Sequence, residues 1–218
     1  MTPAERILFR DERVIVLDKP AGIPVHAGPR AKASIEDWFP ALRFGRRDGP
    51  FLCHRLDADT GGCLVLARRK SALRAVNALF AAGRVAKTYW AVVGRAPAAE
   101  SGTVDAPLLK QSGKDGWRMA IDPRGLAATT DWRLRGRAEG LAWLELNPRT
   151  GRTHQVRAHA ALALGAPVLG DGVYGGGQGK LMLLARAIVV PLDPPVSAIA
   201  PVPEHMRAAL SACGWNAP

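Results

Sequence analysis

The sequence predicts an α+β fold in one domain spanning residues 1–218. Three observations predict it. Apolar runs of strand length follow one another with only turns between them, so they pair locally. Only a few stretches carry helical spacing. At 218 residues, with 48% hydrophobic and 22% charged side chains, the chain has the make-up of a folded soluble protein and room for one sizeable core. No fixed-period repeat, low-complexity tract or long linker marks a border.

Each element has its own local reason. Val14–Leu17 is a β-branched run closed by the turn signal Asp18-Lys19-Pro20-Ala21-Gly22. A basic, loop-like stretch follows, broken by Pro29, Pro40, Gly45 and Pro50 and charged by Arg46-Arg47. Cys63–Ala67 reads as a buried strand. Lys70–Ala82 sets Leu73, Val76 and Phe80 at helical spacing, with Ser71 as a cap and Gly83 as the stop. Lys87–Val93 alternates, placing Lys87, Tyr89, Ala91 and Val93 on one face. Ala128–Leu134 and Leu141–Leu146 read as strands joined through the polar turn Gly136–Gly140. A helix is expected from about Thr153 to Leu164, with Val156, Ala160 and Leu164 as its apolar row. Leu181–Val190 reads as a buried strand and Glu204–Ala212 as a terminal helix.

Charge narrows the partner. Thirty Lys plus Arg stand against 19 Asp plus Glu, a net +11, which suits a polyanion and argues against a cationic substrate. Glu5 and Arg6 precede any long apolar run, so no signal peptide is expected. Leu181–Val190 is about half the roughly 20 residues needed to cross a bilayer, and Arg186 interrupts it. Cys53, Cys63 and Cys213 cannot form a closed disulfide set, which points to a reducing, cytoplasmic setting.

Two polar clusters could carry chemistry. In His54-Arg55-Leu56-Asp57-Ala58-Asp59-Thr60-Gly61-Gly62, an extended backbone sends Arg55 and Asp57 to one side and His54 and Leu56 to the other. Asp59-Thr60-Gly61-Gly62 is favourable turn chemistry. A carboxylate beside that turn, with an arginine on its own face, suits an ionised group in a cleft. On spacing alone, a surface ion pair and an ordinary turn are the commoner explanation. The second cluster, Asn147 to His159, brings Arg149, Arg152, Arg157, His154, His159 and Gln155 to a strand-to-helix junction. Free amides at a helix start favour phosphate there, and a solvated basic face explains the pattern equally well. Metal binding is not expected: His154 and His159 are five apart, a poor helical ligand spacing. No Gly-x-Ser-x-Gly elbow is present, and Gly175-Gly176-Gly177 lacks the lysine and hydroxyl of a phosphate loop.

Taken together and in order, these blocks resemble RluA-type RNA pseudouridine synthases. The match runs through Asp18-Lys19-Pro20-x-Gly22-x-Pro24-Val25-His26, then His54-Arg55-Leu56-Asp57-x-x-Thr60-Gly61-Gly62, then Lys87-x-Tyr89-x-Ala91-x-Val93. It continues through Thr150-Gly151-Arg152-Thr153-His154-Gln155-Val156-Arg157-x-His159 and Leu164-Gly165-Ala166-Pro167-Val168-Leu169-Gly170-Asp171-x-x-Tyr174-Gly175. Relatives usually have Ser-Gly at Gly61-Gly62, and often Leu-His-Ala where Leu184-Ala185-Arg186-Ala187 stands. Many begin with a small RNA-binding module, expected to be absent here.

The resemblance implies a bent, mostly antiparallel sheet flanked by helices around a central cleft. It implies an isomerase that turns uridine in tRNA or rRNA into pseudouridine without cofactor or metal, after flipping the base. By that likeness Asp57 is the essential carboxylate, acting on the sugar or on the base. Arg157 is the active-site basic residue, expected to pair with Asp57, and Tyr89 packs on the target base. Arg55, His54, Arg152, His154 and Gln155 are the expected RNA-binding set, with His54, His154 and Gln155 holding geometry rather than moving protons. RNA is the expected partner, with no membrane, and the chain is expected to act as a monomer. A catalytically idle RNA-binding or RNA-folding protein with the same cleft is the rival reading.

Overall fold

The computed structural model describes residues 2–28, 33–113, 116–175 and 177–216. Pro29 and Gly176 lie outside the described residues. In chain order the strands and helices are β1 (Ile7–Arg10), β2 (Val14–Lys19), β3 (Phe51–Leu52), β4 (Gly61–Ala67), α1 (Lys70–Ala81), β5 (Ala86–Val93), β6 (Ser101–Asp105), β7 (Leu108–Gly113), β8 (Gly116–Ile121), β9 (Thr129–Ala138), β10 (Leu141–Pro148), α2 (Gln155–Ala158), β11 (Leu183–Val190), β12 (Val196–Ile199) and α3 (Glu204–Ala212). The fold is α+β, with antiparallel pairing in the registers of both units. The chain groups into two compact units, residues 1–87 with 185–201 and residues 88–184 with 202–218.

In the first unit the strands run β1-β2-β4-β11, with β3 beside β4 and β12 beside β11. β4 is buried along its whole length, as expected of a continuous apolar run. Antiparallel pairing from Val14↔Ala67 to Lys19↔Gly62 ends next to the Asp57 turn. α1 buries Ala72 and Val76. Ser71 is not its cap: Arg69 holds that position without a side-chain hydrogen bond, and Ser71 sits within the first turn. Gly83 does end the helix, in left-handed backbone at φ +66°, while the Arg84 N–H returns to Leu79 O at 2.9 Å. The stretch expected to be a loop contains a 3₁₀ segment, Ile35–Leu42, seated by buried Ile35 and Leu42. The Asp37 carboxylate accepts the Ser34 N–H at 2.8 Å at its start.

Gly62 locks β4 against β11. Its φ is +108°, and a Cβ there would stand 2.2 Å from Ala185 O. Gly62→Ala should therefore cost at least about 3 kcal/mol, combining forbidden backbone with backbone overlap. Gly28→Ala, where nothing stands within 4 Å, should stay within about 0.5 kcal/mol of the parent. Equilibrium denaturant titration of both variants checks this.

In the second unit the order is β5-β10-β9-β6, and β7 and β8 form a separate two-stranded hairpin. Ala91, Val93, Leu144, Leu146, Trp132 and Val168 anchor its core. The helix expected from Thr153 begins later and is not regular. His154 adopts left-handed backbone (φ +51°), α2 covers Gln155–Ala158 only, and His159–Ala163 continues as a π-helical turn. The cause is side-chain chemistry. The Gln155 carbonyl accepts the Arg152 N–H at 3.0 Å and so holds the preceding loop closed. His159 engages Thr130 Oγ1 at 2.9 Å and Ala106 O at 3.0 Å, and the Leu164 N–H reaches His159 O in the wider i→i+5 pattern.

Candidate active site

The turn that carries Asp57 is built from backbone and one buried cation. The Thr60 N–H closes on Asp57 O at 3.1 Å, and the Gly22 N–H donates to Ala58 O at 2.9 Å. Lys19 is fully buried, and its ammonium donates to Ala58 O at 2.9 Å and Pro20 O at 2.8 Å. Burial lowers the Lys19 pKa to about 8, while Asp59, Asp57 and Asp18 pull the other way. Asp57 is half-buried, so its carboxylate lies in the field of a buried ammonium. Sequence reasoning noted Lys19 as part of a turn and missed this role. A lysine ending a buried strand beside an acidic turn was the available signal.

Leu56 is buried, Arg55 is exposed, and the His54 ring packs on Phe80 at 4.8 Å. His54 Nε2 accepts the Val65 N–H at 2.9 Å. Burial, then the charge of Lys87, push the His54 pKa down to about 4. In the unfolded chain the ring titrates near 6.5, so the unfolded state binds the extra proton between about pH 4 and 6.5. Stability should fall as pH drops through that window, by up to about 3 kcal/mol. His54→Gln, which can still accept from Val65, should flatten the slope. Denaturant titrations at about pH 7 and about pH 4.5 read it, and an unchanged slope would count against the buried neutral ring.

The second basic cluster is organised by Gln155. Its carbonyl also accepts the Thr150 hydroxyl at 2.7 Å, and its amide donates to Thr129 O and Thr130 Oγ1, both at 3.0 Å. The Thr150 hydroxyl oxygen in turn accepts the Thr129 N–H at 3.0 Å. Gln155 is buried and ties the Thr150–His154 loop to β9. Arg152 donates through Nε to Ala127 O at 2.9 Å. Tyr89 is half-buried on β5 opposite Leu146 and packs against the core.

Arg157 is buried and held by a carboxylate whose part sequence reasoning missed. Its Nε donates to Asp171 Oδ2 at 2.7 Å and its Nη2 to Oδ1 at 2.8 Å. Burial alone would raise the Asp171 pKa. The Arg157 fork, with the Val173 and Tyr174 N–H groups, outweighs it and holds the carboxyl below its ordinary value. The Arg157 guanidinium lies 5.5 Å from the Tyr174 ring centre. Tyr174 Oη accepts the Met119 N–H at 2.9 Å and stands 3.3 Å from His154 Nδ1. Asp171 had appeared only as one letter of a matching block; the sequence signal was an acidic residue in a glycine turn.

The catalytic candidates thus divide between the units, Asp57 in the first and Tyr89 and Arg157 in the second. Each unit presents a fixed charge: a carboxylate beside a buried ammonium, and a guanidinium forked onto a buried carboxylate.

Comparison with known proteins gives these features a family. The profile described as "RNA pseudouridylate synthase" matches residues 13–162. The chain is 39% identical over 208 residues to an RNA pseudouridine synthase of Zymomonas mobilis described as uncharacterized, covering 92% of this chain and 95% of that protein. It is 34% identical over 191 residues to the mitochondrial pseudouridylate synthase RPUSD4 of Homo sapiens, covering 77% of this chain. Only 51% of that longer protein is spanned. The solved structure of human RNA Pseudouridylate Synthase Domain Containing 4 superposes with a TM-score of 0.85 at 26% identity, covering 99% of this chain and 95% of that one.

Proposed function

The chain belongs to the RNA pseudouridylate synthase family, and from that premise we propose that it isomerises specific uridines of structured RNA, tRNA or rRNA, with Asp57 as the essential carboxylate. The observation that carries this reading is the Asp57 turn. Lys19, Gly22 and the Thr60 N–H hold its backbone, and the buried Lys19 ammonium interacts electrostatically with the Asp57 carboxylate.

The reaction breaks the bond between the ribose anomeric carbon and uracil nitrogen 1, turns the base, and rejoins the sugar to carbon 5; carbon 5 gives up its hydrogen as a proton and nitrogen 1 takes up a proton, so the product is an isomer. Nothing is oxidised or reduced. A fixed carboxylate serves either as nucleophile at the anomeric carbon or as stabiliser of a cationic sugar. Tyr89 supplies an aromatic surface for the base and a phenol able to move a proton. Arg157 supplies a positive charge held in place by Asp171. A stacked uridine is out of reach, so the base must be flipped, at a cost of a few kcal/mol offset by backbone contacts. Exposed Arg55 is suited to fill the vacated space or hold the phosphate. The surplus of +11 supports the polyanionic partner, and the cysteine usage supports a cytoplasmic setting.

The test is incubation of the purified protein with tRNA and rRNA transcripts tritiated at uracil carbon 5. Tritium release with pseudouridine mapped at defined positions is the expected outcome. Tight RNA binding without release would overturn the reading in favour of the idle RNA-binding protein. Comparing mapped pseudouridines in cells with and without the gene then identifies the target.

A further inference from the structure

Trp117 stands apart from the other tryptophans. Of six in the chain, it alone is exposed among the described residues, at 42% of its surface. It lies on the β7–β8 hairpin, where Ser112 pairs with Trp117 and Lys110 with Met119. Paired residues and those two apart share a face, so Leu108, Lys110, Ser112, Trp117 and Met119 point the same way. The base of that face is core: Leu108 and Met119 are buried with Ala128, Ala158 and Tyr174. Farther along, Lys110, Gln111, Ser112, Gly113, Trp117 and Arg118 are all exposed. A large aromatic left 42% exposed at that position offers an apolar surface that a partner can cover.

Charge states what the occupant is. Residues 108–121 carry three bases, Lys110, Lys114 and Arg118, against one acid, Asp115, on a chain of net +11. The Lys110 ammonium sits 4.6 Å from the Trp117 ring centre. An aromatic next to a cation on an exposed ribbon is the arrangement that binds unpaired nucleotides, with the ring taking the base and the cation the adjoining phosphate. The ring is also backed from within: His154 stacks on it at 4.8 Å and 27°. His154 reaches Tyr174, whose ring the Arg157 guanidinium approaches. The hairpin is therefore seated on the same side chains that frame Arg157.

We propose that the β7–β8 hairpin is an RNA-holding arm on which Trp117 stacks an unpaired nucleotide of the substrate while Lys110 shifts from the ring to its phosphate. This rests on the reading of the chain as an RNA-modifying enzyme and adds where the RNA outside the reacting uridine is gripped. The work of Trp117 is in binding, so its loss falls on KM more than on kcat.

Ultraviolet cross-linking of the unaltered protein to an unmodified tRNA transcript, followed by digestion and peptide mapping, tests this without any variant. A nucleotide adduct on the peptide containing Trp117 is expected. In parallel, Trp117→Ala should weaken tRNA binding about tenfold, with Trp117→Phe keeping most of it. Lys110→Gln should lower the slope of log affinity against log salt by about 1. Absence of the adduct together with unchanged Trp117→Ala affinity would overturn the proposal. So would a Trp117→Ala protein that binds tRNA normally but turns over slowly when saturated, since that describes a prop for His154. The two readings fail separately. RNA gripped through Trp117 without any pseudouridine formed would sink the isomerase reading, and normal turnover with normal affinity in Trp117→Ala would sink the arm alone.

Discussion

Asp57→Asn is expected to lower single-turnover pseudouridine formation by about 10⁴-fold or more, the scale on which removal of a covalent or charge-stabilising group acts. RNA affinity should stay within about tenfold, because phosphate contacts position nucleic acid and lie on other side chains. The isostere should fold. The turn is closed by backbone donors, from Thr60 to Asp57 O and from Gly22 to Ala58 O, and neither needs the carboxylate. The substitution also removes one of the anions that hold the buried Lys19 ammonium charged, so the variant should titrate Lys19 at a still lower pH. The two readouts separate cleanly. Near-normal tritium release from Asp57→Asn would remove Asp57 from the chemistry, whereas loss of affinity in step with rate would make it a binding group instead.

What the sequence could show, and what it could not, follows from the range of the interactions involved. Strands and helices set by local pattern were readable: β2, β4, β5, β10 and α3 fall on their apolar runs, and Glu204–Ala212 matches to the residue. The β7–β8 hairpin and β6 were missed. β6 and β7 carry Ser, Gly, Lys and Gln rather than alternating apolar residues, so they show no period of two, and the alternation Trp117, Met119, Ile121 in β8 spans only five residues. The helix after Thr153 was misjudged because its start depends on Gln155 reaching back to Arg152 and across to Thr129, contacts that no propensity scale contains. The candidate residues were found as matching blocks, but their partners were not. Lys19 lies 39 positions from Ala58, and Asp171 lies 14 from Arg157 across a loop. Only the folded chain brings such pairs together.

Removing the Arg157 side chain should destabilise the fold by about 3–5 kcal/mol, through the carboxylate it leaves behind. The Asp171 side chain is fully buried and the Arg157 side chain 8% exposed, so water cannot take over the fork's role. The family resemblance implies a pairing of Arg157 with Asp57, but the observed Asp171 fork is sufficient cause for this loss by itself. Asp171→Ala should cost a similar amount, since it strands the guanidinium. The double variant should cost less than the two singles together, with a coupling of about 1.5–3 kcal/mol. Arg157→Lys keeps the charge but not the two parallel donors, and should recover only part of the loss. Acid adds an independent check. Asp171 titrates below its unfolded value, so the stability it contributes is complete above about pH 4 and disappears as pH falls through the folded value. Asp171→Asn should abolish that part of the acid sensitivity. Denaturant titrations of the parent and these five variants across this pH range decide the matter: an Arg157→Ala protein less than about 1.5 kcal/mol below the parent would mean the pair is not what holds α2 to the Asp171 turn.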